Sequence, residues 1–182
     1  MKFRIQKQHG FTIVELLIVI VVIAILASIS IVAYNGIQAR AENMKTVQAV
    51  STWVKAIKLN KIKNGSYADF NSCLGNTSTY QGFNGHCWAP STSGWDVDAG
   101  FVAAISPEMS GSTPEPSTKN IHTDSVQYRG AMYYHVNDSD VRIYANIVGI
   151  SVRSECPSIG GLQSAFSVSA RESGASCIYR FE

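Results

Sequence analysis

From Phe11 to Tyr34 the chain reads FTIVELLIVIVVIAILASISIVAY, and 20 of these 24 positions are apolar. A run so uniform predicts a helix greasy on every face. At about 1.5 Å per residue it crosses the roughly 30 Å hydrocarbon core of a bilayer. After Gly36 the pattern narrows: Ile37, Ala41, Met44, Val47, Val50, Val54 and Ile57 recur every three or four residues, the period of an amphipathic helix. Arg40, Gln48, Lys55 and Lys58 fall off that stripe. Asn64-Gly65 is a stop signal, because glycine suits the left-handed position after a helix. The spacing predicts one helix from Phe11 to about Lys63, with no soluble partner for its first half and one face of its second half turned to a core.

Beyond it the period changes to two. Val141, Ile143, Ala145 and Ile147 alternate with Arg142, Tyr144 and Asn146, as in a half-buried strand. Ser125–Val136 reads as its hairpin partner across Asn137-Asp138-Ser139-Asp140. Further strands are expected at Phe166–Ala170 and Ser176–Phe181. Residues 66–120, rich in Gly, Ser, Thr and Asn, read as a long loop region with a short helix near Gly100–Ile105. The expected fold class is α+β: a long N-terminal helix packed on a small antiparallel sheet.

The averages conceal this division. The 182 residues are 46% hydrophobic and 15% charged, with a mean hydropathy of +0.04 and a formal charge of +2. That composition excludes a disordered chain, and so small a charge argues for no acidic partner. Outside residues 11–34 the apolar fraction falls to 40%. Residues 1–10 carry +3, residues 35–65 carry +5 and residues 66–182 carry −5. Four regions follow: a basic leader (1–10), an apolar helix (11–34), its amphipathic continuation (35–65) and a globular domain (66–182). The basic residues of 35–65 read as a solvated helix face, able in an assembly to meet the acidic domains of neighbours.

The apolar run exceeds the 7–15 residues of a signal peptide and continues into helical sequence, which argues for a retained anchor. Ala27-Ser28-Ile29-Ser30 imitates a cleavage site, so signal cleavage stands as the lesser alternative. The basic run Met1–Gln8 stays cytoplasmic by the positive-inside rule, placing the C-terminal bulk outside. Glu15 is the anomaly. On the residues alone it is either an interfacial carboxylate favoured by the helix dipole or a charge awaiting a positive partner.

Gly10-Phe11-Thr12-Ile13-Val14-Glu15-Leu16-Leu17 closely resembles the processing site of type IV prepilins and type II secretion pseudopilins. The resemblance covers residues 1–35 and holds in register: basic leader, Gly before the cut, Phe after it, Glu four residues on, then the apolar helix. It implies cleavage between Gly10 and Phe11 by a membrane-embedded prepilin peptidase, N-methylation of Phe11, and a pilin-like fold. It also implies a partner for Glu15, the Phe11 amine of an adjoining subunit. Two positions depart from many major pilins: Ala24 and Val32 stand where those carry a helix-breaking Gly and Pro. The helix melting seen in parts of the family is thereby in doubt here.

Cys73, Cys87, Cys156 and Cys177 all fall on the expected exported side, where an even count reads as disulfides with three possible pairings. Cys73–Cys87 and Cys156–Cys177 are favoured because each closes a short local loop. A disulfide-bounded C-terminal loop, common among pilins, adds to the second by resemblance. The alternative is zinc on Cys73, His86 and Cys87, whose spacing is unusual for ligands.

Catalytic signatures are weak. His86, His122 and His135 are scattered, with no G-x-S-x-G, H-E-x-x-H or P-loop, so no catalytic residue, cofactor or small-molecule substrate is expected. ATP for assembly must be spent by another protein. Asp96-x-Asp98 and Asp138-x-Asp140 offer oxygens to calcium but lack EF-hand spacing, and turn chemistry explains both. Trp88, Trp95 and Tyr133-Tyr134 can stack bases, yet the acidic domain opposes phosphate and core packing is the commoner fate of aromatics. No nucleic acid is therefore expected. Ser72–Thr79 and Ser110–Thr118 are candidate glycan acceptors.

The expectation is a non-enzymatic subunit of a type IV pilus-like surface filament, serving adhesion or twitching motility. Its partners are copies of itself, the prepilin peptidase, and an assembly platform protein with its ATPase. It is single-pass in the cytoplasmic membrane before assembly and extracellular after it. Alternatives are a type II secretion pseudopilin or a minor (tip or DNA-uptake) pilin and, outside the family, a membrane-anchored extracellular binding domain.

Overall fold

A computed structural model describes residues 11–80, 85–89, 94–122 and 126–182. The chain divides between Gln38 and Ala39 into two compact units. One helix, α1 (Ile13–Asn64), runs through both.

In the first unit the described side chains of α1 are exposed. Every large apolar side chain described from Ile13 to Ile31 is 47–84% exposed. The backbone is helical through Ala24 and Val32. Ser28 and Ser30 return their hydroxyls to the carbonyls of Ile25 and Leu26, each at 2.7 Å, so neither leaves the helix a polar group to solvate. Among the described residues α1 is the one helix long and apolar enough to cross a membrane.

In the second unit α1 buries Thr46, Ala49, Val50, Trp53, Val54, Ala56, Ile57 and Asn60. The buried face departs from the predicted stripe at its start, for Ile37, Ala41 and Met44 are exposed. Hydrogen bonds set the phase there. The Asn43 amide donates to Val148 O at 2.9 Å and accepts from Val148 N at 2.8 Å. Ser117 donates its N–H to Thr46 Oγ1 and its hydroxyl to Glu42. Gly65, at φ +83°, ends the helix by donating to Lys61 O at 2.8 Å.

That face lies on a five-stranded antiparallel sheet of β1 (Asn71–Cys73), β5 (Ala131–Asn137), β6 (Asp140–Val148), β7 (Ser167–Ala170) and β8 (Gly174–Arg180), in the order β1-β5-β6-β8-β7. Alternation puts Ala131, Tyr133, Ile143, Ala145, Ile147, Cys177 and Tyr179 in one core with Val50, Trp53, Val54 and Ile57. Each large apolar side chain buried there contributes roughly 1.5–3 kcal/mol. A short helix, α2 (Ala99–Ile105), is capped by Asp98, whose side chain accepts from Phe101 N, and adds Phe101 and Ile105. Phe101 stacks on Trp53 at 5.6 Å and on Tyr133 at 4.8 Å.

Three strands inside the expected loop region correct that reading. β1 joins the main sheet, while β2 (His86–Ala89) and β3 (Trp95–Asp96) form a second sheet, β3-β2-β4, with β4 (Gln127–Tyr128). The strand expected over 125–136, whose first residue lies outside the described residues, is therefore two strands in two sheets. Gly130 turns the chain between them at φ +57°, where a side chain would strike the Tyr80 hydroxyl. Cys73–Cys87 joins the sheets at a Cα separation of 5.7 Å, and Cys156–Cys177 ties the loop after β6 to β8 at 5.9 Å. For loops of these lengths a crosslink is worth about 3 kcal/mol by the chain-entropy estimate.

Candidate functional site

The first turn of α1 is held by a reciprocal cap. Glu15 Oε2 accepts from Thr12 N at 2.9 Å and from Thr12 Oγ1 at 2.8 Å, while Glu15 N donates to Thr12 Oγ1 at 3.2 Å. This is the Ser/Thr-x-x-Glu capping box, which satisfies donors the helix cannot reach and sets a carboxylate at the positive end of the dipole. Glu15, expected to await a charged partner, is thus engaged by its own helix in the isolated chain. Thr12 is the member of the site that the hydrophobic pattern passes over. Its signal is the three-residue spacing to Glu15. Phe11, one residue earlier, is 81% exposed. Gly10 and the leader lie outside the described residues.

The other candidate groups do not converge. The Cys73 and Cys87 sulfurs are bonded to each other and so are not free for zinc beside His86, whose Nδ1 pairs with Asp96. His122 lies 3.6 Å from Glu172, and His135 Nδ1 lies 3.0 Å from Asp69. The four aspartates weighed for calcium have separate tasks: Asp96 faces His86, Asp98 caps α2, Asp138 accepts from Tyr67 N at 3.0 Å, and Asp140 is held by Arg142 and Arg180. Hydrogen bonding to the Arg142 guanidinium is the main cause that holds the Asp140 carboxyl below its usual range. Among the described residues no three His, Cys, Asp or Glu side chains gather as a metal site. Two basic residues of α1 pair within their own unit, Lys63 with Glu108 at 2.9 Å and Lys58 with Glu182 at 3.6 Å.

The family comparison singles out the same end of the chain. Residues 5–31 match the family model described as the prokaryotic N-terminal methylation motif. The chain is 34% identical over 69 residues to type II secretion system core protein G of Escherichia coli, covering 38% of this chain and 48% of that protein. It is also 34% identical over 64 residues to the protein of that name from Klebsiella michiganensis, covering 35% and 45%. The chain thus spans about half the length of the curated relatives it matches. No solved structure matches it. A prokaryotic N-terminal methylation motif, similarity to type II secretion system core protein G and an α+β fold built on one long N-terminal helix therefore coincide in one molecule.

Proposed function

We propose that the chain is a non-enzymatic filament subunit, cut between Gly10 and Phe11 by a prepilin peptidase, N-methylated on Phe11 and polymerised through residues 11–34. The observation that carries this reading is an exposed apolar helix whose first turns lie within the residues, 5–31, that match the methylation motif. Such a surface is stable only in lipid or against other copies of itself. Before assembly it anchors the subunit in the cytoplasmic membrane with its N-terminus inside. After assembly, helix-on-helix burial supplies cohesion. Cleavage gives Phe11 a free amine beside the Thr12–Glu15 cap, and in a water-poor filament core the Glu15 carboxylate of a neighbour attracts it strongly. That pair sets the register. A platform protein and its ATPase drive insertion, and a surface filament of this kind serves adhesion or twitching motility.

Mass spectrometry of the membrane-extracted protein tests processing: the expected first residue is N-methyl-Phe11, and an intact Met1 or a cut after Ala27 overturns the reading. Glu15→Gln tests register. It keeps an acceptor for the Thr12 N–H and removes the charge, so filaments should be lost while the domain folds; normal filaments would refute the pairing.

A second reading, a pseudopilin of a secretion system, is favoured by the type II secretion relatives. Deletion separates the two: loss of surface fibres supports the pilus, and loss of protein export with fibres unaffected supports the pseudopilin.

A further inference from the structure

We propose that the outer face of the main sheet carries a binding site for an acidic pyranose, a hexuronate. Opposite the core, alternation turns Tyr134, Tyr144, Asn146 and Ser176 away from α1. The second sheet stands over them and leaves a cavity of about 330 Å³, at the small end of the range for ligand sites. Its walls are aromatic. Trp88 and Trp95 lie 6.3 Å apart and tilted, and Trp95 meets Tyr134 edge-on at 5.7 Å. All three rings are only partly buried: Trp88 and Trp95 pack on one side against Cys73, Tyr80 and Cys87, each keeps surface open toward the cavity, and an aromatic face suits the C–H face of a sugar ring.

The floor adds a polar row. Asn146 and Ser176 are opposed between β6 and β8, and Ser176 and Ser169 between β8 and β7. Neighbouring strands lie about 4.8 Å apart, so the row presents polar groups at the scale of hydroxyls around a pyranose. Ser176 donates to Asn146 Oδ1 at 2.6 Å and Asn146 Nδ2 to Arg129 O at 2.9 Å, which fixes the row in place.

The cation supplies the acidic half of the specificity. Arg171 lies 3.9 Å over the Tyr128 ring, and its buried Nε has no hydrogen-bond partner among the described residues. A buried donor left unpaired is costly unless a ligand answers it, and a guanidinium is matched best by a carboxylate. A neutral hexose would use the walls and floor but not Arg171, and an aromatic acid would use the walls and Arg171 but not the floor. A nucleic-acid strand needs a basic track along its backbone, whereas Arg171 is the one cation among the described lining residues.

The test is intrinsic tryptophan fluorescence of the full chain in a zwitterionic detergent free of sugar, titrated with methyl glucuronide, methyl glucoside, benzoate and oligo-dT. The expected result is a saturable change with the glucuronide in the millimolar range or tighter. Arg171→Gln should weaken it about tenfold or more, the scale of a lost charge-assisted pair, and Trp95→Ala should abolish it, each with an unchanged circular dichroism spectrum. A uronate tetrasaccharide binding more tightly than the monosaccharide identifies a polymer as the source; equal binding identifies the free sugar; both support the site. Glucoside binding as tightly as glucuronide, tighter binding of benzoate or oligo-dT, or no saturable change with any probe overturns the proposal. The wild-type series decides even if a variant misfolds.

Discussion

Replacing Trp53 with alanine should remove a large share of the globular unit's stability. The side chain is fully buried, stacks on Phe101 at 5.6 Å and donates its indole N–H to Pro114 O at 2.9 Å. It thereby fixes α1 to α2 and to the loop before β4. Truncating a buried aromatic of this size costs about 3–5 kcal/mol. The lost ring stacking and the orphaned Pro114 carbonyl place this site at the upper end of that range. Domains of this kind hold only about 5–15 kcal/mol in all. Trp53→Phe keeps a ring against Phe101 and loses the hydrogen bond, so about 1–2 kcal/mol is expected. The assay is urea unfolding of the full chain in detergent micelles, followed by near-ultraviolet circular dichroism, which reports the aromatic core and not the micelle-bound half of α1. Two results would refute the reasoning: an alanine variant within about 1 kcal/mol of the parent, or a phenylalanine variant as unstable as the alanine one.

Two further outcomes are expected. Asn43→Ala removes both hydrogen bonds to the Val148 backbone, so stability should fall by about 2 kcal/mol and the Val148 amide should exchange faster; unchanged exchange would place the clasp elsewhere. Asp140 has a depressed pKa, relative to an ordinary value of 3.8, so its contribution is present above that value and lost as pH falls through the lower folded one. Acid titration of stability should therefore be shallower below pH 3.8 for Asp140→Asn than for the parent; identical acid limbs would remove Asp140 from the account.

What was legible in the sequence is what arises locally. The apolar run, the β5–β6 hairpin and the Gly65 stop each depend on neighbours in the chain, and each reads directly. The phase of α1 at Ile37, Ala41 and Met44 misled, because the surface opposite is held by Asn43, Glu42 and Thr46, which a hydrophobic count ignores. β1, β2 and β3 are strands of three, four and two residues, too short for alternation to register; they exist because distant strands supply their hydrogen bonds. The split at Gly130 was hidden for the same reason, since a single positive-φ residue sends β4 and β5 into different sheets. At the candidate site, Glu15 stood out as a charge in an apolar run, whereas Thr12 is an unremarkable residue until its hydroxyl and N–H are seen on that carboxylate. The aromatics read as core pack in two places, Tyr133 in the main core and Trp88 and Trp95 against the cluster of Cys73, Tyr80 and Cys87, a division set by the second sheet, whose strands are too short to read in the sequence.

Residues 11–34 are proposed as an assembly surface. Electron cryomicroscopy of filaments from cells overproducing the chain tests this most directly. The expected images show fibres of this subunit with helices 11–34 packed in the core and the Phe11 amine of one copy against Glu15 of another. A protein that stays monomeric in the membrane, or fibres held together by globular domains with residues 11–34 outside the core, would contradict the proposal.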